Sequence, residues 1–450
     1  MGGVFHAYDV RGVWGKGIDE ALSERIGRAL AVHLRCRRVC VGRDMRPSAG
    51  PASAALVRGL TAHGCDVEEI GLASTPMQYF ASGDGGFDAG VQVTASHNPS
   101  EYIGFKISGP GVTPVGGDSG LPEIERLATG KDPPAPPAGT KPGTSKPRDI
   151  RNAYTKHVLS FWKPGKRKPR VVVDCANGMG SLEVDLALSR LGLEVEVLYP
   201  DLDGSFPNHE ANPLRPENLR DLQAAVKRAG ADVGIAFDGD ADRARFVDER
   251  GGVVGNDLAT ALLAEEILPA EKPGAAVVYD LRSSRVVPET IRALGGTPVR
   301  ERVGHAFMKA RLRREKGPFG GEYSGHFYFR DNWCADSAVI ACVLVLNRLS
   351  RDPRPFSEVL APLRRYRQTG EVNFEVVDKD GKIREIAETF RDGKVDLLDG
   401  VTVEYPDWWF NVRKSNTEPL LRLCLEGTTD AAFEKGRARV MPLLGTPVDK

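Results

Sequence analysis

Three stretches of this chain follow one plan. Each opens with a β-branched strand that ends in aspartate: RRVCVGRD at Asp44, RVVVD at Asp174 and AAVVYD at Asp280. A turn of small residues comes next, and then apolar residues at helical spacing predict helices over 52–63, 182–191 and 286–294. Glycine stops each helix, at Gly64, Gly192 and Gly295, and a second strand begins (GCDVEEIG, GLEVEVLY, GGTPVRERVG). A strand, a crossover helix and a further strand make a βαβ unit, whose strands run parallel. Three such units predict an α/β fold with three related domains, each built on a mixed, mostly parallel sheet.

At 450 residues the chain has room for three or four domains. Its last portion departs from the plan. EVNFEVV, VDLLDGVTVEY and LLRLCLEG alternate like antiparallel strands around helical IREIAETFR, which predicts a smaller C-terminal α+β domain from about Gly370. The stretch 130–149, GKDPPAPPAGTKPGTSKPRD, is rich in proline and glycine and reads as a surface excursion closing the first domain. The expected domains are 1–149, 150–253, 254–368 and 369–450, set around a central cleft.

Composition removes several function classes. Basic and acidic residues balance at 61 each, so no nucleic-acid surface is demanded, and the basic run 163–170 reads as solvated surface. With 41% hydrophobic residues and no long apolar run, the chain can bury a sizeable core and needs no membrane. The N-terminal MGGVFHAYDVRG is too short and mixed for a signal segment. The seven cysteines are scattered without a C-x-x-C pair, which predicts reduced thiols in a cytoplasmic protein. DCANGMGS, 174–181, lacks the third glycine of a dinucleotide fingerprint and reads as a tight strand-to-helix turn. No obligate protein partner is implied.

Four polar loops carry the chemistry. In VTASHNPSEYIGFKIS, Ser96 stands before His97, Asn98 and Pro99. The proline biases Asn98 away from helix and holds the loop open. A G-x-S-x-G elbow is absent, and in extended chain His97 would face away from Ser96, which disfavours a serine hydrolase. Lys106 follows ten residues on in an alternating strand. A hydroxyl with a lysine nearby suits phosphoryl transfer: one carries the group, the other offsets its charge.

GIAFDGDADRARFVD spaces Asp238, Asp240 and Asp242 by two, after a strand over 233–237. Carboxylates so close repel unless a cation sits among them, and hard oxygen ligands with room for a phosphate oxygen indicate Mg²⁺. An EF-hand is excluded by Arg243 at the position needing glycine, and by the strand-like RARFVD that follows. In GGEYSGHFYF, extended chain would put Glu322, Ser324 and His326 on one face, where a carboxylate and a hydroxyl can grip a sugar diol. VRKSNTEPLLR offers Arg413, Ser415, Asn416 and Thr417, a set suited to a phosphate dianion. One loop lies in each domain, as a cleft between four domains requires.

TASHNP, DGDADR, GEYSGH and RKSNTEP, in this order and spacing, resemble the α-D-phosphohexomutase superfamily over nearly the whole chain. GEYSGHFYFRDNWCADSA is similar to its bacterial phosphomannomutase/phosphoglucomutase branch. The resemblance implies reversible transfer of a phosphoryl group between O1 and O6 of mannose or glucose phosphate, through a hexose 1,6-bisphosphate that also acts as activator. It implies that Ser96 is the phosphoserine and that Ser96, Asp238, Asp240 and Asp242 bind Mg²⁺. Arg243 and Lys106 then serve the moving phosphoryl, Glu322 and Ser324 the sugar hydroxyls, and Arg413, Ser415, Asn416 and Thr417 the other phosphate. YDVRG brings Tyr8 and Arg11 to the cleft, and GHAFMK brings His305 and Lys309. Lys106, His97, His305 and His326 are the candidates for taking the sugar proton. Ile103 and Ala306 depart from the family pattern, which has asparagine and serine there. The alternatives are a phosphoglucosamine mutase, which usually carries glutamine in place of Tyr323, and a metal-dependent sugar phosphatase with Asp238 or Asp240 as nucleophile.

Overall fold

In the computed structural model, which describes residues 3–6, 8–132, 134–415 and 418–448, each repeat is a βαβ unit. Strand Arg38–Arg43 leads through helix Ala49–Ala62 to the parallel strand Asp66–Leu72. Val171–Asp174 leads through Gly180–Leu186 to Val195–Leu198, and Ala276–Asp280 through Val286–Ala293 to Thr297–Glu301. The middle helix is shorter than its periodicity predicts, because it breaks at Ala187 and continues only as the 3-10 turn Leu188–Arg190.

The repeats share more than this unit. On the other side of its first strand, each sheet adds a third parallel strand and then an antiparallel partner. These pairs are Ala89–Val93 with Tyr102–Gly109, Val233–Phe237 with Ala244–Asp248, and Phe319–Gly321 with Phe327–Phe329. Each third strand turns into its partner through one polar loop. Those three equivalent loops carry Ser96, Asp238 to Asp242, and Glu322. The proline-rich excursion returns to the first sheet as its edge strand, Ser145–Pro147, where a proline without an N–H is tolerated.

The fourth sheet is antiparallel throughout and has six strands. The fourth domain contains two elements that alternation alone did not reveal, the strand Trp408–Lys414 and the helix Asp430–Leu444. One hydrophobic core runs through the first three domains, from Met77 and Phe80 through Val171 and Phe237 to Phe319 and Phe327. Its axis is the helix Ala338–Arg351, whose AVIACVLVL segment is buried on every face. The fourth domain keeps its own core around Trp408, Phe410, Leu423 and Phe433. It meets the third domain through polar contacts: Arg285 donates to the carbonyl oxygen of Pro406 (3.0 Å), Gln368 to Asp257 (2.9 Å), and Arg300 pairs with Glu404. A separate core joined by a polar seam suits a domain that moves as a unit. Among the described residues no helix is long and apolar enough to cross a membrane.

A buried carboxyl joins the first domain to the second. Glu183 accepts hydrogen bonds from Tyr154 (2.9 Å) and from Ser74, the N-cap of helix Thr75–Asp84. Burial pushes its carboxyl up to about 7, with the two hydroxyls only partly offsetting it. The folded state therefore favours the neutral acid. That contribution is complete below the ordinary carboxyl range and is lost as pH rises through about 7, a span worth about 3 kcal/mol. Glu183→Gln should remove this slope, so the variant's Tm should gain on the parent between pH 5 and pH 8. Parallel Tm profiles over that range would contradict the assignment.

Candidate active site

Ser96 follows the strand Ala89–Val93 and is fully buried. Its φ of 52° lies in the left-handed region, at a cost of about 1–2 kcal/mol. That twist overturns the expectation that His97 faces away: Ser96 Oγ lies 3.2 Å from His97 Nδ1. Ser96 Oγ also donates to Asp238 Oδ2 at 2.7 Å. Gly239 closes over the serine so tightly that a Cβ would lie 2.4 Å from the Ser96 carbonyl oxygen. Arg11 reaches the same loop, donating to Asn98 Oδ1 and pairing with Asp9.

Asp238, Asp240 and Asp242 are all buried, and ligand oxygens from the three lie within 4.8 Å of one another. Lys106 Nζ bridges Asp240 (2.6 Å) and Asp242. Arg243 Nε stands 3.7 Å from Asp238 and 3.9 Å from Asp242. Burial, with the charges of Asp240 and Asp242, pushes Asp238 up to about 8. Burial would raise Asp242 too, but Lys106, His326 and Arg243 hold it well below the usual range. Burial opposes the charge on Lys106, yet the aspartates outweigh it and the ammonium is held. Lys106, Arg243 and the His326 imidazole thus face the three carboxylates, and Asp240 Oδ1 is buried without a hydrogen-bond partner among the described residues. An orphaned carboxylate oxygen in an all-oxygen cluster fits a hard divalent cation. Helix Thr75–Asp84 aims its N-terminus at this cluster: Thr75 N donates to the Asp240 carbonyl oxygen (3.0 Å) and Thr75 Oγ1 to Asp240 Oδ2 (2.5 Å).

Glu322, Ser324 and His326 converge, but through a tight turn instead of extended chain. Gly325 takes φ 92°, and Glu322 N donates to the His326 carbonyl oxygen at 2.9 Å. His326 Nδ1 lies 2.9 Å from Ser324 Oγ and 3.2 Å from Glu322, and its Nε2 lies 3.3 Å from Asp242 and 3.2 Å from Arg243 Nε. Burial works against its charge, but Asp242 and Glu322 bring the imidazole up to about 9. Burial instead keeps His97 and His305 neutral, with nearby cations reinforcing it. Glu322 is only 1% exposed; it accepts from Gly304 N (3.1 Å) and Tyr328.

The loop at Gly304 ties three domains together. Tyr8 donates to the Val303 carbonyl oxygen (2.7 Å) and packs edge-on against His305, while Val303 N donates to Asp399 of the fourth domain (3.1 Å). Lys309 is buried beside the cluster. Its ammonium pairs with Asp336 at 2.5 Å and stands 3.9 Å from the Tyr79 ring centre, and Asp336 in turn lies 4.0 Å from His326.

In the fourth domain Arg413 stands within a strand, not a loop, one residue before the end of Trp408–Lys414 and paired with Arg422. Arg413, Arg282 and Arg422 converge on Glu371 at 3.0, 3.4 and 3.1 Å. Burial would raise that carboxyl, but the three guanidiniums bring it down to about 2. Arg282 also pairs with Asp280 (2.7 Å) and Arg422 with Glu418, so the three guanidiniums are gathered at one spot and shared among three carboxylates. Ser415 follows, its Oγ accepting from Glu418 N (3.2 Å). Asn416 and Thr417 lie outside the described residues. Ile103 is fully buried in a separate core of the first domain, with Val39, Leu56 and Val91, so this departure is absorbed by packing; Ala306 is buried at the start of helix His305–Glu315.

Sequence reasoning missed Arg46, Thr75, Arg282, Arg422, Glu371 and Asp399. A signal existed for two of them. The strand-ending aspartates Asp44 and Asp280 are each followed two residues later by arginine, and each Asp Oδ1 accepts the N–H of that arginine, at 3.0 and 2.8 Å. The same repeat position therefore supplies a buried guanidinium in the first and third domains.

Family models of phosphoglucomutase/phosphomannomutase match in series: α/β/α domain I over residues 2–133, domain II over 152–252, domain III over 255–366 and the C-terminal domain over 371–443. The chain belongs to this family. A phosphomannomutase of Escherichia coli (strain K12) is 37% identical over 446 residues, covering 97% of each chain. A protein named phosphohexose mutases from Xanthomonas campestris pv. campestris is 38% identical over 439 residues, again covering 97% of each. The crystal structure of a phosphoglucomutase/phosphomannomutase family protein from Burkholderia thailandensis superposes with a TM-score of 0.89 at 35% identity, covering 98% of this chain and 96% of that one.

Proposed function

We propose that this phosphohexomutase interconverts the 6- and 1-phosphates of mannose and glucose, with Ser96 as the phosphoryl carrier. The observation that carries this reading is the Ser96 hydroxyl 2.7 Å from Asp238, beside the Lys106 bridge of Asp240 and Asp242. In the first step the bond from phosphorus to Ser96 Oγ breaks as a bond to the free sugar hydroxyl forms, and the hydroxyl proton leaves to a base. The hexose 1,6-bisphosphate turns over in the cleft and returns its other phosphate to Ser96. Lys106 and Arg243 offset charge on the moving group. Mg²⁺ held by Asp238, Asp240 and Asp242 would add charge compensation at the phosphoryl oxygens.

The ligand must present either end to Ser96, so its grip has to be symmetric. Glu322 and Ser324 serve groups common to both orientations, the 3- and 4-hydroxyls. Glucose and mannose differ only at carbon 2, so this grip separates them by about 1–3 kcal/mol at most. A panel of hexose 1-phosphates should show turnover of both, and a preference above about a hundredfold would contradict the symmetric grip.

Arg413 belongs to the clamp for the phosphate that is not reacting. The three guanidiniums gathered around Glu371 support this, as does the polar seam that lets the fourth domain close and exclude water. Arg413→Ala should raise KM by about ten- to a hundredfold, the worth of a charge-assisted hydrogen bond or two. Phosphorylation of Ser96 by the bisphosphate should fall less. The reverse pattern would remove Arg413 from the clamp.

A further inference from the structure

Arg46 follows the first strand of the first repeat, far in sequence from the serine loop, yet its side chain is wholly buried beneath that loop. Nη2 donates to the carbonyl oxygens of Ser96 (2.8 Å) and Asn98 (2.6 Å). Nη1 donates to those of Pro99 (2.6 Å) and Tyr102 (3.2 Å). Nε points to Asp44 at 3.3 Å. The four N–H groups on Nη1 and Nη2 are thus spent on the backbone of one loop, while Nε stands only at ion-pair range of Asp44. The second domain covers the arrangement. The Phe206 ring lies 5.1 Å from the guanidinium carbon, and Gly204 comes so near that a Cβ would sit 2.7 Å from Arg46 Cα.

The loop needs such a support. Ser96 is held at φ 52°, and its carbonyl oxygen is wedged between Arg46 and Gly239. A single ammonium cannot replace a planar fork reaching four divergent carbonyls. We propose that Arg46 is the positioning residue of the phosphoryl-transfer loop. It fixes the backbone of 96–102 and so aims Ser96 Oγ at Asp238 and the incoming phosphoryl. It touches neither substrate nor the transferred group. This rests on the reading of Ser96 as carrier.

The test compares the parent with R46K and R46A for hexose 1-phosphate turnover, thermal unfolding and phosphate incorporation at Ser96. R46K should lose about a hundredfold in kcat, the effect of a misplacement near 1 Å. Its KM should stay within about threefold, because the sugar and phosphate grips lie in other domains. R46A should fall at least as far, and millimolar guanidinium ion should restore about tenfold or more in R46A but nothing in S96A. A merely structural role would lower Tm and the active fraction without a split between kcat and KM and without rescue. A folded R46K with kcat within about threefold of the parent overturns the proposal. So does failure of both variants to fold, which assigns Arg46 to the fold alone. A parent that never takes phosphate on Ser96 sinks the carrier reading instead, so the two failures are distinct.

Discussion

The Ser96→Ala protein is expected to interconvert hexose phosphates at least about 10⁴-fold more slowly than the parent, as when a covalent nucleophile is deleted. Its affinity for the substrate should change little. The reason for the first effect is geometric. Ser96 Oγ is fully buried against Asp238 and His97, under the backbone of Gly239, so water has no ready place from which to substitute. Uncatalysed cleavage of a phosphate monoester is among the slowest reactions known, so any route without the carrier falls steeply. The second effect follows from the division of labour among domains. The groups proposed to hold the sugar and the distal phosphate stand on the third and fourth sheets, and removing one hydroxyl from the first leaves them in place. Coupled turnover and calorimetric titration read the two effects separately. Turnover within about tenfold of the parent would assign the phosphoryl to another group.

Stripping divalent cations with a chelator is expected to lower transfer by about 10³-fold or more, and added Mg²⁺ should restore it. Asp238, Asp240 and Asp242 are buried together, faced by Lys106, Arg243 and the His326 imidazole. A dianionic phosphoryl entering that cluster adds charge that these cations cannot balance. Asp238 already responds to its neighbours: burial and the two other aspartates raise it to about 8. A dication held by the three carboxylates would offset that repulsion, and Asp240 Oδ1 is a buried carboxylate oxygen without a hydrogen-bond partner among the described residues. The measurement is turnover in chelator against turnover after graded Mg²⁺. Full activity in chelator would contradict the metal assignment.

Much of this was legible in the sequence because the decisive groups sit in short loops at strand ends. Asp238, Asp240 and Asp242 stand two apart after a clean strand, and Ser96 stands before a proline, so local chemistry alone singled them out. The three repeats were visible because β-branched runs ending in aspartate recur before apolar helical stretches. Their deeper equivalence was not. Only pairing shows that the serine, aspartate and glutamate loops join corresponding strands, since register is a long-range property.

Arg46 and Thr75 escaped for the same reason, each acting on a loop distant in sequence. The helix Asp430–Leu444 carries Gly436 and Pro442, both poor helix residues. Gly436 is there because a Cβ would lie 2.5 Å from the Trp408 ring, and that packing cannot be read locally. The Ser96–His97 pair was misjudged because a left-handed residue breaks the alternation that extended chain obeys.

The reading of Ser96 as carrier is tested most directly by labelling. The protein is incubated with hexose 1,6-bisphosphate bearing isotopic phosphate, digested, and mapped by mass spectrometry. The expected result is one phosphate on Ser96, discharged when hexose monophosphate is added. Label on an aspartate of 238–242, or complete release to water with Ser96 bare, would contradict it.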